Sequence, residues 1–179
     1  MALAARLERF LARKGITYRE LPIDQVTSLD AAVIASGMSQ DSFVQATLLI
    51  DITGVVMAVH KFDSSLDPDA VHQLTGRRLQ PLTARQTMRL FSDCDPGFTP
   101  PIGQAYELPV IVDEDVMLAD QVVLAVDDEA ACTLMTAFYA AAETYAALAL
   151  QLVAPCAAQP LRVQLWNELN HLPSRWVRS

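Results

Sequence analysis

The chain is organised around the range Cys94–Asp113, which reads CDPGFTPPIGQAYELPVIVD. Gly97 can adopt backbone angles that other residues avoid, and Pro100 and Pro101 fix their own φ, so no helix passes through the first half. The second half ends in the apolar β-type run Val110–Val112. A stiff, bent loop can present several backbone N–H groups to one point, as binding of a carbonyl or an anion requires. The alternative is a loop that only connects two elements.

Composition indicates one folded domain. The chain has 179 residues, of which 52% are hydrophobic and 19% are charged, enough to bury a core. No apolar run is long enough to span a membrane, and residues 1–14 mix charged and apolar positions, so we expect no membrane contact and no signal peptide. The three cysteines are widely spaced, which favours a reducing cytoplasm and predicts neither zinc nor any other metal.

The charge is unevenly distributed. The formal net charge is -8, and no Lys or Arg occurs between Leu90 and Leu161. Nucleic-acid affinity comes largely from Lys and Arg contacts to phosphate, so this acidic half is unfavourable for tRNA. If tRNA binds, we expect it to use the basic flank Arg77–Arg89.

Hydrophobic periodicity and turn residues predict a mixed α/β fold. Helices are predicted at Ala2–Lys14, from a cap at Thr27 or Ser28 to Ala35, and at Asp67–Leu74, Thr83–Phe91, Ala137–Leu150 and Leu161–Leu172. Strands are predicted at Ile16–Leu21, Phe43–Ile50, Val55–His60, Leu79–Leu82, Val110–Val112, Val122–Val126 and Thr133–Met135. Phe43–Ile50 and Val55–His60 should form a central hairpin with Gly54 in its turn.

The last segment is distinct in composition. We predict one domain over residues 1–150 and a helical C-terminal tail over residues 151–179. The leucines and Trp166 of this tail either pack back onto the domain or contact a protein partner or a second copy of the chain.

The loop resembles a known family. Gly97 followed after three residues by Pro101, then Ile102-Gly103 and Leu108–Asp113, is similar to the signature of the YbaK/ProRS-associated editing family, whose members are aminoacyl-tRNA deacylases. The resemblance extends from about Leu3 to about Leu148. It implies a curved, mixed, mostly antiparallel sheet flanked by helices.

The resemblance also implies a mechanism without a protein nucleophile, metal or cofactor. Backbone N–H groups of the loop would hold the ester carbonyl while a water molecule attacks, aided by a hydroxyl of the terminal ribose. Gly97, Phe98, Thr99 and Pro101 are the catalytic residues that this implies.

Further residues are predicted to bind substrate, and one departs from the family pattern. The family carries a lysine where this chain has Ala46, in Gln45–Leu49. The predicted substrate-binding residues are Ala46, Thr47, His60, Lys61 and Gly103, and Lys61 could reach the pocket in place of the missing lysine. The acidic run Asp127–Glu129 either attracts a free α-amino group or is an exposed turn.

Two functions therefore remain open. The first is a trans-editing deacylase that hydrolyses a small mischarged amino acid from the acceptor end of tRNA. The second is a catalytically degenerate module of the same fold that binds a small amino-acid-like ligand or has a regulatory role, which Ala46 and the acidic half favour.

Overall fold

The computed structural model describes residues 4–22, 26–126, 130–135, 148–150 and 163–165. Its helices are α1 (Ala5–Lys14), α2 (Leu29–Ser36), α3 (Pro68–Thr75), α4 (Ala84–Leu90) and α5 (Glu114–Met117), with short 3-10 helices at Gln40–Ser42 and Gly103–Tyr106. Its strands are β1 (Tyr18–Pro22), β2 (Phe43–Asp51), β3 (Gly54–Lys61), β4 (Gln80–Pro81), β5 (Val110–Asp113), β6 (Gln121–Ala125), β7 (Ala130–Met135), β8 (Leu148–Leu150) and β9 (Val163–Leu165).

Within the described residues the strands form one nine-stranded mixed sheet. The order is β1-β7-β6-β2-β3-β5-β8-β9, and β4 pairs with β2 outside this path. The pairs β2–β6, β3–β5 and β5–β8 are parallel, whereas the other pairs are antiparallel. The predicted mixed, mostly antiparallel sheet flanked by helices is therefore confirmed.

The hairpin β2–β3 lies at the centre of the sheet, as predicted. In its turn the Asp51 carboxylate accepts hydrogen bonds from the backbone N–H of Thr53 at 2.7 Å and from Arg77 Nε at 2.8 Å. Arg77 also donates to the Gly54 carbonyl at 2.9 Å. Because Arg77 is distant in the sequence, its two contacts fix the hairpin turn against the loop that follows α3.

The predicted helix boundaries agree with the structure to within a few residues where caps define them. The Ser28 hydroxyl caps α2 by accepting from the Ala31 backbone N–H at 3.2 Å, and Asp67 caps α3. Thr83 and Gln86 form a reciprocal capping box at the start of α4. Gly37 and Gly76 end their helices in the left-handed conformation.

The sheet buries its two faces against different helices. On one face, α1 places Leu7, Phe10 and Leu11 in a cluster with residues of β2 and β3 that include Val44 and Leu48. On the other face, residues of α3 pack against a second cluster that includes Leu49, Val56, Ala58 and Ile111. Because neighbouring residues of a strand point to opposite faces, β2 is divided between these two environments.

Two predicted helices are wrong in the parts that the structure describes. Leu148–Leu150, the predicted end of a helix, is strand β8, and Val163–Leu165, inside the predicted tail helix, is strand β9. β8 pairs with β5 and β9 pairs with β8, so backbone pairing at the sheet edge takes precedence over the helical spacing of the apolar residues. The remainder of both helices, Trp166 and the acidic run 127–129 lie outside the described residues.

Candidate functional site

The loop between α4 and β5 is held by local hydrogen bonds and one buried aromatic ring. The Cys94 backbone N–H donates to the Phe91 carbonyl at 3.0 Å, and that of Phe98 donates to the Asp95 carbonyl at 3.1 Å. Phe98 is 4% exposed and packs in a cluster with Val26, Ala32 and Ala125. The side chain of Phe98 therefore anchors the loop to α2 and β6.

Gly97 adopts a conformation that favours glycine. Its φ is +95°, and a Cβ atom at this position would lie 3.3 Å from the carbonyl oxygen of Thr27. The loop consequently passes close to the backbone just before α2, where a side chain would require a shift. Among the described residues, no hydrogen-bond acceptor is found for the backbone N–H of Gly97 or Thr99.

A small cavity of about 180 Å³ lies between this loop and β2. Its lining includes five of the residues predicted from the sequence: Ala46, Gly97, Phe98, Thr99 and Pro101. Leu29, Val44, Gln45 and Ala125 complete it. Pockets for drug-sized ligands measure about 300–1,000 Å³, so this cavity suits a smaller group.

Among the residues that the structure describes, the cavity lining contains no ionisable side chain. Ala46 is half-buried in this lining, at the position where the resembled family has its lysine. Lys61 pairs with Val44 in the strand register but is not among the lining residues. Among these lining residues, chemistry would therefore depend on backbone N–H groups and the Thr99 hydroxyl, because the Gln45 side-chain amide donates instead to the Phe62 carbonyl at 2.9 Å.

Thr47 and His60 lie on the opposite face of the sheet from Ala46. Thr47 Oγ1 is 2.9 Å from His60 Nε2, and His60 Nδ1 is 3.0 Å from the Lys61 carbonyl and 3.2 Å from Ser64 Oγ. His60 is 2% exposed, and burial lowers its pKa below the ordinary value of 6.5. The structure thus places this network with the turn after β3 and does not bring it to the cavity.

Gly103 is also separate from the cavity lining. It begins the 3-10 helix, and a Cβ atom there would lie 2.8 Å from Val110 Cγ2 and 3.1 Å from Met57 Sδ. The absence of a side chain at Gly103 is therefore explained by close packing against β3 and β5.

Several cavity residues were missed by sequence reasoning. Leu29 and Ala125 look like ordinary packing positions in a helix and a strand, and only the pairing of β6 with β2 brings Ala125 near the loop. Val44 and Gln45 directly precede the predicted Ala46, and they could have been found by including its neighbours along β2.

The surroundings add two negative findings. Within the part of the chain that the structure describes, no group of three or more His, Cys, Asp or Glu side chains could hold a metal ion. None of the described helices has the length and apolar character that crossing a membrane requires.

Residues 24–137 match the model of the aminoacyl-tRNA editing domain, which covers most of the chain. The chain therefore belongs to the aminoacyl-tRNA editing domain family, and the resemblance inferred from Gly97 to Asp113 is confirmed. The matched range contains the loop, β2 and the cavity between them. No match was found among curated protein sequences.

Solved structures share the fold at low sequence identity. A protein provisionally assigned as a trans-editing enzyme for prolyl-tRNA synthetase has a TM-score of 0.67 and 22% identity, covering 84% of this chain and 97% of its own. A hypothetical protein has a TM-score of 0.68 and 20% identity, covering 76% and 93%. A provisionally assigned signal transduction protein from Marinobacter aquaeolei VT8 has a TM-score of 0.64 and 17% identity. That match covers 82% of this chain but only 30% of the Marinobacter protein.

Proposed function

We propose that this chain is an aminoacyl-tRNA deacylase that hydrolyses the ester of a small amino acid from mischarged tRNA. The observation that carries the proposal is the cavity of about 180 Å³ that the loop residues Gly97–Pro101 form against Ala46. Its size suits a small side chain, and the absence of an ionisable side chain among its described lining residues suits an uncharged one. Membership of the editing domain family supports the acceptor end of tRNA as the partner, and we propose a cytoplasmic location on the same ground.

In this proposal the loop supplies the catalytic groups. The backbone N–H groups of Gly97 and Thr99 stabilise the negative charge that develops on the ester oxygen, and a water molecule is the nucleophile. Because the described lining residues include no titrating side chain, the terminal ribose hydroxyl of the tRNA assists the water. Phe98 and Pro101 hold the loop in position, and the reaction needs no cofactor.

A second function is favoured by a specific observation. Ala46 leaves the described lining of the cavity without a cation, so a chain that retains the pocket but not the catalysis would bind a small amino-acid-like ligand. A similar fold forms 30% of a protein provisionally assigned to signal transduction, which fits a regulatory module within a larger assembly. We retain this as the alternative to the deacylase.

The deciding experiment is a deacylation assay with tRNAs that carry alanine, serine, cysteine or proline. The deacylase proposal predicts turnover of at least one substrate by the wild-type protein. Absence of turnover for all four at high protein concentration would refute it. Activity gained only in Ala46→Lys would then support the degenerate module, since the lysine would restore a lost group.

A further inference from the structure

A second cavity, of about 520 Å³, lies between α1 and the 3-10 helix Gly103–Tyr106. Three arginines of α1, Arg6, Arg9 and Arg13, line one side of it, and Ala12 is also in the lining. Ala105, Tyr106 and Glu107 line the other side. We call this the α1 groove. Residues three and four positions apart share a face of a helix, so the three guanidinium groups face the groove together.

The three arginines have no acidic partner among the described residues. All three are exposed, and among the described residues none has a carboxylate within ion-pair distance. Arg9 Nε donates to the Ala5 carbonyl at 2.9 Å, and the Arg6 guanidinium carbon lies 5.1 Å from the centre of the Tyr106 ring. The exposed Glu107 carboxylate also lines the groove and offsets part of its positive charge.

We infer that the α1 groove binds the phosphates of the RNA strand that leads to the aminoacyl ester. Guanidinium groups bind phosphate through paired hydrogen bonds, which makes arginine the usual residue for such contacts. Arg6 and Arg13 are about 10 Å apart along the helix axis, at 1.5 Å per residue. This length corresponds to roughly three nucleotides at about 3.4 Å each.

The α1 groove and the proposed catalytic cavity are lined by neighbouring parts of one segment. Pro101 lines the cavity and Ala105 lines the groove, so the two walls are four residues apart in one segment. Four residues span at most about 14 Å. A strand whose terminal ester occupies the cavity therefore reaches the α1 arginines within a few nucleotides. This inference rests on the proposed function, because it concerns the same aminoacyl-tRNA substrate.

The structure weakens the basic flank that the sequence suggested for tRNA. Arg77 is occupied by Asp51 and the Gly54 carbonyl, so it is held in the hairpin turn. Arg78, Arg85 and Arg89 of this flank are exposed, but none of them lines either cavity described above. They provide a matched control, since three arginines can be neutralised on each surface with the same change in net charge.

The test measures binding of uncharged tRNA to the full chain over a series of salt concentrations. Two triple variants are compared with wild type: Arg6→Gln/Arg9→Gln/Arg13→Gln and Arg78→Gln/Arg85→Gln/Arg89→Gln. Glutamine preserves helix propensity, and circular dichroism confirms folding. We expect the affinity of the α1 variant for tRNA to fall at least tenfold. The slope of log K against log salt should become shallower by about 2, because each phosphate contact to a single strand contributes about 0.7 to that slope. The flank variant should remain near wild type.

Other outcomes overturn the inference. Equal losses in both variants would indicate a non-specific charge effect, and an unchanged slope in the α1 variant would remove the groove from the binding surface. Wild-type binding to vesicles of anionic phospholipid but not to tRNA would assign the groove to a membrane surface. Because uncharged tRNA cannot be hydrolysed, binding without deacylation refutes the proposed function alone. Deacylation with undiminished binding by the α1 variant refutes this inference alone.

Discussion

Replacing Gly97 by alanine tests whether the conformation of the loop matters for function. At a φ of +95° a side chain is strained, and the new Cβ atom would lie 3.3 Å from the Thr27 carbonyl oxygen. Such a residue costs about 1–3 kcal/mol, and the reduced freedom of the unfolded chain returns about 0.4–1 kcal/mol. We therefore expect a net destabilisation of about 1–2 kcal/mol, measured by urea unfolding.

The effect on activity should be larger than the effect on stability suggests. The strain is relieved by movement of the loop, and misplacement of reacting groups by about 1 Å can reduce a rate about a hundredfold. We expect single-turnover deacylation by Gly97→Ala to fall by about that factor while the protein remains folded.

Gly76→Ala provides the matched control. Gly76 also has a positive φ, of +67°, but no atom lies within 4 Å of a Cβ placed there, and it is remote from the cavity. The Gly76→Ala protein should be destabilised by a comparable amount, about 1–2 kcal/mol, and its deacylation rate should be unchanged. Equal deacylation by wild type and Gly97→Ala, or equal loss of activity in both variants, would refute the role of the loop.

Three further predictions concern stability. Gly103→Ala should lower the free energy of unfolding by about 1–3 kcal/mol in urea titrations, because its Cβ atom would lie 2.8 Å from Val110 Cγ2. The hydrogen bond from Arg77 holds the pKa of Asp51 well below its usual range, so Asp51→Asn should cost about 1.5–3 kcal/mol at pH 7, and in thermal melts this cost should shrink only as the pH falls below the ordinary value of 3.8 towards the lowered pKa. Burial lowers the pKa of His60, so the unfolded chain binds a proton that the folded chain does not, and urea midpoints should fall as pH drops below about 6.5.

Each of these predictions has an outcome that would contradict it. A Gly103→Ala protein as stable as wild type would show that Met57 and Val110 can move aside. An Asp51→Asn penalty that is the same at about pH 2 and at pH 7 would exclude the ion pair as its cause. For His60, a His60→Gln variant that keeps the full dependence between pH 5.5 and 7 would assign the proton uptake to other groups.

Local chemistry made much of the fold predictable from the sequence. Ser28, Asp67 and Thr83 cap helices because their side chains accept backbone N–H bonds, and Gly37 and Gly76 can adopt the left-handed angles that end helices. These signals depend on near neighbours in the chain, so they can be recognised in the sequence without knowledge of tertiary contacts. The β2–β3 hairpin was predictable for the same reason.

Features that depend on distant contacts were not predictable. The strands at Leu148–Leu150 and Val163–Leu165 form by pairing with β5 and with each other, which the helical spacing of their leucines does not reveal. At the site, Gly97, Phe98, Thr99 and Pro101 were found together from one motif. The α1 groove was not predictable either, since it follows from packing of α1 beside the 3-10 helix. The separation of Thr47 from Ala46 is different, because it follows from the local alternation along the predicted strand β2 and could have been inferred from the sequence.

The most direct test of the cavity is binding of a non-hydrolysable alanyl-adenosine, linked through an amide at the 3′ position, to wild type, Ala46→Leu and Thr47→Val. The larger side chain of Ala46→Leu extends into the cavity of about 180 Å³, whereas Thr47→Val changes the other face of the sheet. If the cavity holds the aminoacyl group, wild type and Thr47→Val bind the analogue, and Ala46→Leu binds at least tenfold more weakly while remaining folded. Equal binding by all three proteins, or a loss confined to Thr47→Val, would contradict the assignment of the site.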